Sequence, residues 1–318
     1  MRALSLSGPV LSLLFVATLL AFPARAADPL VDVAWLKANL EKSGLVVLDV
    51  RSGAGLSREA YLQYHIPGAV FTDYRRDGWR GKDAAGVSGQ LPPPARLEAL
   101  IGRLGIGNDT HVVLAPLGQS AADMATATRV YWTFKVLGHD AVSILDGGYA
   151  AWLSERTNEG RPVNPLASGG AQPPPRKFKA SVRGDMLVTR ADVEKAMAAG
   201  TPLVDNRPHD YFVGMAKSGA AKRAGTLPGA QSLPEGWLTQ GGGGSFWPKE
   251  KLAKVYGAAG VPTDGDQISF CNTGQWASLG WFTSHELLGN KAARLYDGSM
   301  AEWTSSDTAP VMRKVQID

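Results

Sequence analysis

The chain has 318 residues, of which 44% are hydrophobic and 19% are charged, so it can bury an ordinary globular core and is not disordered as a whole. This length favours two domains over one. The formal net charge is only +4, and the basic residues are scattered apart from one tight group formed by Lys217, Lys222 and Arg223. The sequence therefore offers no electrostatic basis for nucleic-acid binding.

The N-terminal segment has the pattern of an export signal. A basic start at Arg2 precedes an apolar run over 10–22, and Ala24-Arg25-Ala26 matches the small-x-small pattern that signal peptidases cleave. We therefore predict a signal peptide over 1–26 and a periplasmic location for the cleaved protein. An uncleaved membrane anchor is the alternative, but the apolar run is shorter than the about 20 residues that a spanning helix needs. No stable membrane insertion is expected after cleavage.

One plan of elements occurs twice in the rest of the chain, and such a repeat decides how the elements are assigned. Each copy runs through an amphipathic helical stretch, an apolar strand that ends in Asp-x-Arg, a Pro-Gly-Ala turn, a second strand and an Asp-Gly segment before a tryptophan. In the first copy these features lie at 33–40, 45–51, 67–69, 111–115 and 146–152. In the second copy they lie at 188–199, 202–207, 228–230, 267–270 and 297–303.

Short apolar strands that alternate with helical stretches of about 10 to 15 residues are typical of βαβ units. We therefore predict an α/β protein with two tandem domains, over 27–160 and 181–318, each a small parallel sheet with helices on both faces. Proline and glycine are frequent between the two copies, as in Pro173-Pro174-Pro175. This composition predicts an extended, semi-rigid linker over 161–180.

Cys271 is the only cysteine of the chain. A single thiol cannot form an intrachain disulfide, and keeping it in an oxidising compartment calls for a chemical reason. It follows the predicted strand 267–270 and opens a turn before a helix that is predicted to begin near Ala277 and to run towards Leu288. Backbone amides of such a turn and the positive end of the helix dipole stabilise a thiolate. The alternative is a small buried hydrophobic residue, the usual role of an isolated cysteine.

The duplicated motifs and the strand that ends at Cys271 resemble tandem rhodanese domains, and the resemblance spans essentially the whole chain after the signal segment. It implies that the first domain is inactive and the second is catalytic. Aligning Gly105 with Gly260 places Pro116 opposite Cys271. This fits the implied asymmetry, because proline offers neither a nucleophile nor an amide donor.

The resemblance implies a two-step transfer of sulfur through Cys271. The thiolate attacks the outer sulfur of a donor such as thiosulfate, and sulfite leaves. The resulting persulfide then passes its terminal sulfur to cyanide or to a thiol, including the thiol of a partner protein. Neither a metal nor an organic cofactor is implied.

The predicted substrate-binding residues are those of the loop together with one arginine: Asn272, Thr273, Gly274, Gln275, Trp276 and Arg207. The loop lacks the cations common in thiosulfate-using rhodaneses and the Gly-Ser-Gly pattern of mercaptopyruvate-using relatives. Counter-charge must therefore come from elsewhere, and the nearest cations in the motif order are Arg207, Lys217, Lys222 and Arg223. For Arg207, a purely structural ion pair with Asp205 is the alternative. Whether the glycine segment 241–244 gates the site is left open.

Three other functions are alternatives for a cysteine in such a loop. A phosphatase or arsenate reductase would carry an arginine at the end of a Cys-x5-Arg loop, where this chain has Ala277. A 3-mercaptopyruvate sulfurtransferase is the less favoured form of the same chemistry. A periplasmic persulfide carrier with little turnover on small molecules is the alternative that the sequence leaves open.

Overall fold

The computed structural model describes residues 27–51 and 58–316. The predicted signal peptide lies outside the described residues. Within them, no helix has both the length and the apolar character needed to cross a membrane.

The first domain contains a five-stranded parallel sheet of order β1-β7-β6-β2-β3 and a separate antiparallel hairpin of β4 and β5. Its strands are β1 (Leu30–Val31), β2 (Leu45–Asp49), β3 (Val70–Phe71), β4 (Gly81–Lys82), β5 (Ser88–Gln90), β6 (His111–Ala115) and β7 (Val142–Leu145). Its helices are α1 (Val33–Asn39), α2 (Arg58–Gln63), α3 (Pro94–Arg103), α4 (Ala121–Val136) and α5 (Gly148–Trp152).

The second domain contains a four-stranded parallel sheet of order β11-β10-β8-β9. Its helices are α6 (Arg190–Ala199), α7 (His209–Val213), α8 (Lys249–Ala258), α9 (Gln275–Phe282) and α10 (Ser299–Trp303). Its strands are β8 (Leu203–Asp205), β9 (Gln231–Ser232), β10 (Gln267–Phe270) and β11 (Ala293–Leu295). The order matches that of β7-β6-β2-β3, so the duplicated sequence plan folds into a duplicated sheet.

Alternate residues of a strand point to opposite faces of the sheet. The strands of the first sheet carry apolar residues at successive positions, so both faces need to be covered by helices. Val112 of β6 belongs to an apolar cluster with residues of α3 and α4, whereas Val113 belongs to a cluster with residues of α1 and α5. In the second domain, Val204 of β8 and Ile268 of β10 likewise belong to different clusters. The predicted α/β class, with helices on both faces of parallel sheets, is confirmed.

The two domains share one apolar cluster, in which α4 of the first domain packs against α9 of the second. Tyr131 of α4 meets Phe282 of α9 edge to face, with ring centroids 4.9 Å apart. The segment between the domains is anchored to the first domain, because Phe178 is buried and the Ser181 amide donates to the Leu137 carbonyl at 2.9 Å. The apolar Phe178 makes this part of the linker a core segment of the first domain.

Candidate active site at Cys271

Cys271 directly follows β10 and is only 1% exposed. The chain turns through 271–274, and α9 begins at Gln275. This is earlier than the predicted start near Ala277. Gly274 explains the difference, because its φ of 78° gives the left-handed turn that leads straight into the helix.

Ser299 holds the loop from the start of α10. Its Oγ accepts hydrogen bonds from the amides of Cys271, at 3.1 Å, and Gly274, at 3.2 Å, and it donates to the Tyr296 carbonyl at 2.9 Å. Ser299 is the one non-glycine residue with a positive φ, 49°, in the described part of the chain. Two of the loop amides therefore already donate to a protein side chain. The backbone strain lies at Ser299, the residue that accepts these bonds.

The remaining amides of the loop point to anion binding. The amides of Asn272, Thr273 and Gln275 donate no described hydrogen bond to a protein acceptor. Such unpaired N–H groups at a helix start stabilise negative charge. The loop that Cys271 opens therefore presents three unpaired N–H donors.

The β4–β5 hairpin of the first domain lies on this loop. A Cβ atom on Gly89 would sit 2.7 Å from the Cβ of Thr273, so only glycine permits the approach. Arg80, just before β4, donates through Nη2 to the Thr273 carbonyl at 3.1 Å and through Nη1 to Oε1 of Gln275 at 3.4 Å. No ion pair of the described residues includes Arg80. Its positive charge is therefore not neutralised by a neighbouring carboxylate.

Arg129 of α4 forms a second cross-domain contact, a buried ion pair with Asp297 at 2.6 Å. Burial disfavours the guanidinium charge, but Asp297, Tyr74 and Cys271 outweigh it, so the pKa of Arg129 is raised and the side chain stays charged. A Cβ atom on Gly274 would collide with this pair. The ion pair and the positive φ together therefore require glycine at 274.

The predicted loop residues do converge around Cys271, but their side chains have different surroundings. Asn272 is 7% exposed, and its Oδ1 is buried without a partner among the described residues. The Nε2 of Gln275 donates across the domain interface to Oγ1 of Thr126 at 3.1 Å. Trp276 is half-buried and stands edge to face against Tyr211 of α7, with centroids 6.2 Å apart. Gln275 therefore joins the domains, while Asn272 keeps an unused acceptor.

The contacts of Arg207 are those of a structural ion pair with Asp205, the alternative to substrate binding. It is 2% exposed, its Nε donates to Asp205 Oδ1 at 2.8 Å, and its Nη2 donates to the Gly225 carbonyl at 2.9 Å. Arg51 makes the same contact with Asp49 in the first domain, which has no nucleophile. The same pair is present in the domain that has no cysteine, so it is not specific to the Cys271 site. We therefore assign Arg207 to holding the end of β8 in place.

The other expected cations lie elsewhere. Lys217, Lys222 and Arg223 line a surface cavity whose described walls include no residue of the Cys271 loop. Arg80 and Arg129 were not among the predicted site residues, because both belong to the domain without a cysteine. The one available signal was the duplication itself, which implies that corresponding loops of the two domains face each other.

The glycine segment 241–244 packs on the first domain. The Gly147 amide donates to the Gly244 carbonyl at 3.1 Å, and a Cβ on Gly244 would overlap the backbone of Gly118. The alignment that pairs Pro116 with Cys271 also pairs Gly244 with Gly89 and Gly118 with Thr273. The segment is therefore the symmetry counterpart of the β4–β5 contact and lies on the loop that Pro116 opens in the first domain.

Comparison with known proteins agrees with this architecture. The Rhodanese-like domain profile matches residues 32–155 and 189–306. A Haloferax volcanii protein named "Putative thiosulfate sulfurtransferase" is 32% identical over 301 residues, covering 90% of this chain and 96% of its own. The sulfur carrier protein TtuD of Thermus thermophilus is 30% identical over 298 residues, covering 90% of this chain and 97% of its own.

Among solved structures, SseA from Escherichia coli, described as a 3-mercaptopyruvate sulfotransferase, superposes with a TM-score of 0.72 at 25% identity. The match covers 86% of this chain and 99% of SseA. The profile and the relatives support sulfur transfer as the general chemistry. The chain belongs to the rhodanese family and carries two rhodanese-like domains in tandem.

Proposed function

We propose that the protein is a sulfurtransferase that moves sulfane sulfur from thiosulfate, or a similar donor, through a Cys271 persulfide to cyanide or a thiol. The observation that carries this proposal is the position of the only cysteine. Cys271 lies in a loop with unpaired amides at a helix start, and Arg80 adds a positive charge with no carboxylate partner. Both features favour an anionic sulfur at this position.

In the first step the Cys271 thiolate attacks the outer sulfur of thiosulfate. The sulfur–sulfur bond of the donor breaks, sulfite leaves with the bonding electron pair, and one sulfur stays on Cys271. In the second step a nucleophilic acceptor attacks the terminal sulfur, and the Cys271 thiolate is released. An anion here attacks a dianion, so the loop amides and Arg80 offset charge repulsion that would otherwise oppose the reaction.

A persulfide carrier is the second candidate, and one structural observation favours it. Cys271 is 1% exposed, and the β4–β5 hairpin packs on its loop at Thr273, which suits the protection of a bound persulfide. The name of TtuD points the same way. Use of 3-mercaptopyruvate is less favoured, since the loop lacks the Gly-Ser-Gly pattern, although SseA is named for that donor.

Steady-state assays separate these functions. With thiosulfate and cyanide, the enzyme is expected to form many equivalents of thiocyanate per chain, and the Cys271→Ser variant none. A carrier would form at most one equivalent of thiocyanate per chain. Faster turnover with 3-mercaptopyruvate than with thiosulfate would make 3-mercaptopyruvate the favoured donor. Equal turnover by wild type and Cys271→Ser would contradict both candidates.

We also propose export to the periplasm, on the pattern of 1–26 alone. N-terminal sequencing of the protein from a periplasmic fraction is expected to start at Ala27. Retention of an intact N-terminus in the cytoplasm would contradict this proposal.

A further inference from the structure

A cavity of about 530 Å³ opens on the second domain, between the segment that follows α7 and the C-terminal end of the described chain. Four cations line it, together with the apolar side chains of Met215 and Val311: they are Lys217, Lys222, Arg223 and Arg313. No acidic residue occurs among its described lining residues. The cavity is therefore strongly positive and belongs to neither the Cys271 loop nor the domain interface.

The charges of three of these cations are not neutralised. Lys217 Nζ donates to the Ala221 carbonyl at 2.8 Å, Lys222 Nζ to that of Ser305 at 3.2 Å and Arg223 Nη2 to that of Ser306 at 2.7 Å. None of the three forms an ion pair with a described carboxylate. Carbonyl groups orient these side chains but leave the positive charge in place.

Arg223 is the most constrained of the three cations. Its Nε is buried and has no hydrogen-bond partner among the described residues, and its Nη2 is held by the Ser306 carbonyl. Because no described carboxylate pairs with it, its guanidinium adds a fixed positive charge to the wall of the cavity.

The walls of the cavity are held by backbone hydrogen bonds. Thr226 and Met312 exchange a pair of these bonds, at 2.9 and 2.8 Å, and the Lys314 amide donates to the Val213 carbonyl at 3.1 Å. The cavity is thus preformed, which is the usual condition of small-molecule sites.

Size and chemistry together identify the class of ligand. The volume falls within the range of about 300 to 1,000 Å³ typical of organic ligands, so a single small oxyanion would not fill it. Met215, 56% exposed, and Val311 offer apolar contacts, while the cations suit more than one acidic group. We propose that this cavity binds an organic polyanion, with at least two acidic groups on an apolar body, at a site separate from Cys271.

Calorimetry with benzene-1,3,5-tricarboxylate as the probe tests this proposal on the full chain. We expect one site per chain, affinity that falls as salt is added, and at least tenfold weaker binding of benzoate and of sulfate. The double variant Lys217→Ala/Lys222→Ala should lose at least tenfold in affinity. The matched pair Lys249→Ala/Lys254→Ala, on the exposed face of α8, should bind like wild type.

The Cys271→Ser variant should also bind the tricarboxylate unchanged, so this result is independent of the sulfur chemistry. The proposal is overturned if the tricarboxylate does not bind, if it binds the Lys217→Ala/Lys222→Ala variant as tightly as wild type, or if sulfate binds equally well.

Discussion

At the Cys271 loop, positive charge comes from a side chain of the other domain. Arg80 donates to the Thr273 carbonyl and to Gln275, and no described carboxylate pairs with it. Two unit charges about 4 Å apart interact by roughly 4 kcal/mol at the effective dielectric of a protein surface. Part of such an interaction is enough to change the rate of a reaction between two anions.

Replacing Arg80 by methionine should lower kcat/KM for thiosulfate by about 10- to 100-fold, which is roughly 1.4 to 2.7 kcal/mol of barrier. Arg80→Lys should restore part of the loss, since charge is kept but the forked donor geometry is not. Arg75→Met, at an exposed position of the same segment, is the control. Initial rates of thiocyanate formation over a range of thiosulfate concentrations measure the effect. Wild-type kinetics in Arg80→Met would show that the loop needs no added cation.

Glu235 gives the protein a pH-dependent stability. Burial, reinforced by repulsion from Asp205 and Asp210, raises the pKa of Glu235 to about 7 from an ordinary value of 4.5. Between these two pH values the folded protein holds a proton that the unfolded chain releases, so stability falls as pH rises through this window. Oε2 of Glu235 is buried without a described partner, which agrees with a neutral carboxyl.

The Glu235→Gln variant should therefore match wild type near pH 4 and become progressively more stable than wild type up to about pH 7, with a constant difference above. Urea denaturation of both proteins across this range measures the difference. Glu250→Gln, at an exposed position of α8, should show no such trend. A pH-independent difference for Glu235→Gln would refute the assignment.

For single residues, the sequence predicted the position of Cys271 at a strand–helix turn, because that position follows from the local order of the elements. It was insufficient for Arg80 and Arg129, whose positions depend on how two domains pack. For Arg207 the sequence did not distinguish two roles. An Asp-x-Arg motif at a strand end is the same in sequence whether the arginine binds substrate or holds the strand in place.

Among the elements, the turn between β10 and α9 depends on the first residue of α10. The Oγ of Ser299 accepts hydrogen bonds from the amides of both Cys271 and Gly274, so α10 fixes the shape of the loop between β10 and α9. The spacing of the sequence predicted the turn and its helix, but not this support, because hydrogen bonds between distant segments leave no local pattern. The start of α9 was misplaced for a similar reason, since the conformation of Gly274 decides it.

Ser299→Ala should lower the free energy of unfolding by about 1 to 3 kcal/mol, the usual cost of leaving buried donors unsatisfied. It should also slow sulfur loading of Cys271, because the loop is no longer held. Ser305→Ala, at an exposed position just after α10, should change neither quantity. Urea denaturation and sulfite release report the two effects. Full stability in Ser299→Ala would mean that other contacts hold the loop.

Over the whole molecule, duplication builds a nearly symmetric interface in which only one end carries a cysteine. Gly89 meets Thr273 at the Cys271 end, and Gly244 meets Gly118 at the other. Arg129 and Asp297 pair at the Cys271 end, whereas Asp146 at the other end accepts from the Phe246 amide at 3.0 Å. The repeat in the sequence was enough to predict two α/β domains. It could not predict their docking, which depends on side-chain fit across α4 and α9.

Arg129→Met should destabilise the protein by about 3 to 5 kcal/mol, because it leaves the Asp297 carboxylate unpaired at the interface. Adding Asp297→Asn should recover part of this loss, giving a coupling that urea denaturation of the four proteins can measure. Strict additivity of the two changes would contradict a functioning ion pair.

The intact mass of the protein after brief incubation with thiosulfate, with wild type and Cys271→Ser compared side by side, tests the Cys271 persulfide. We expect wild type to gain one sulfur atom, which cyanide removes, and to release one equivalent of sulfite. The variant should gain nothing. Loading of Cys271→Ser, or sulfite release without a mass gain in wild type, would contradict a Cys271 persulfide.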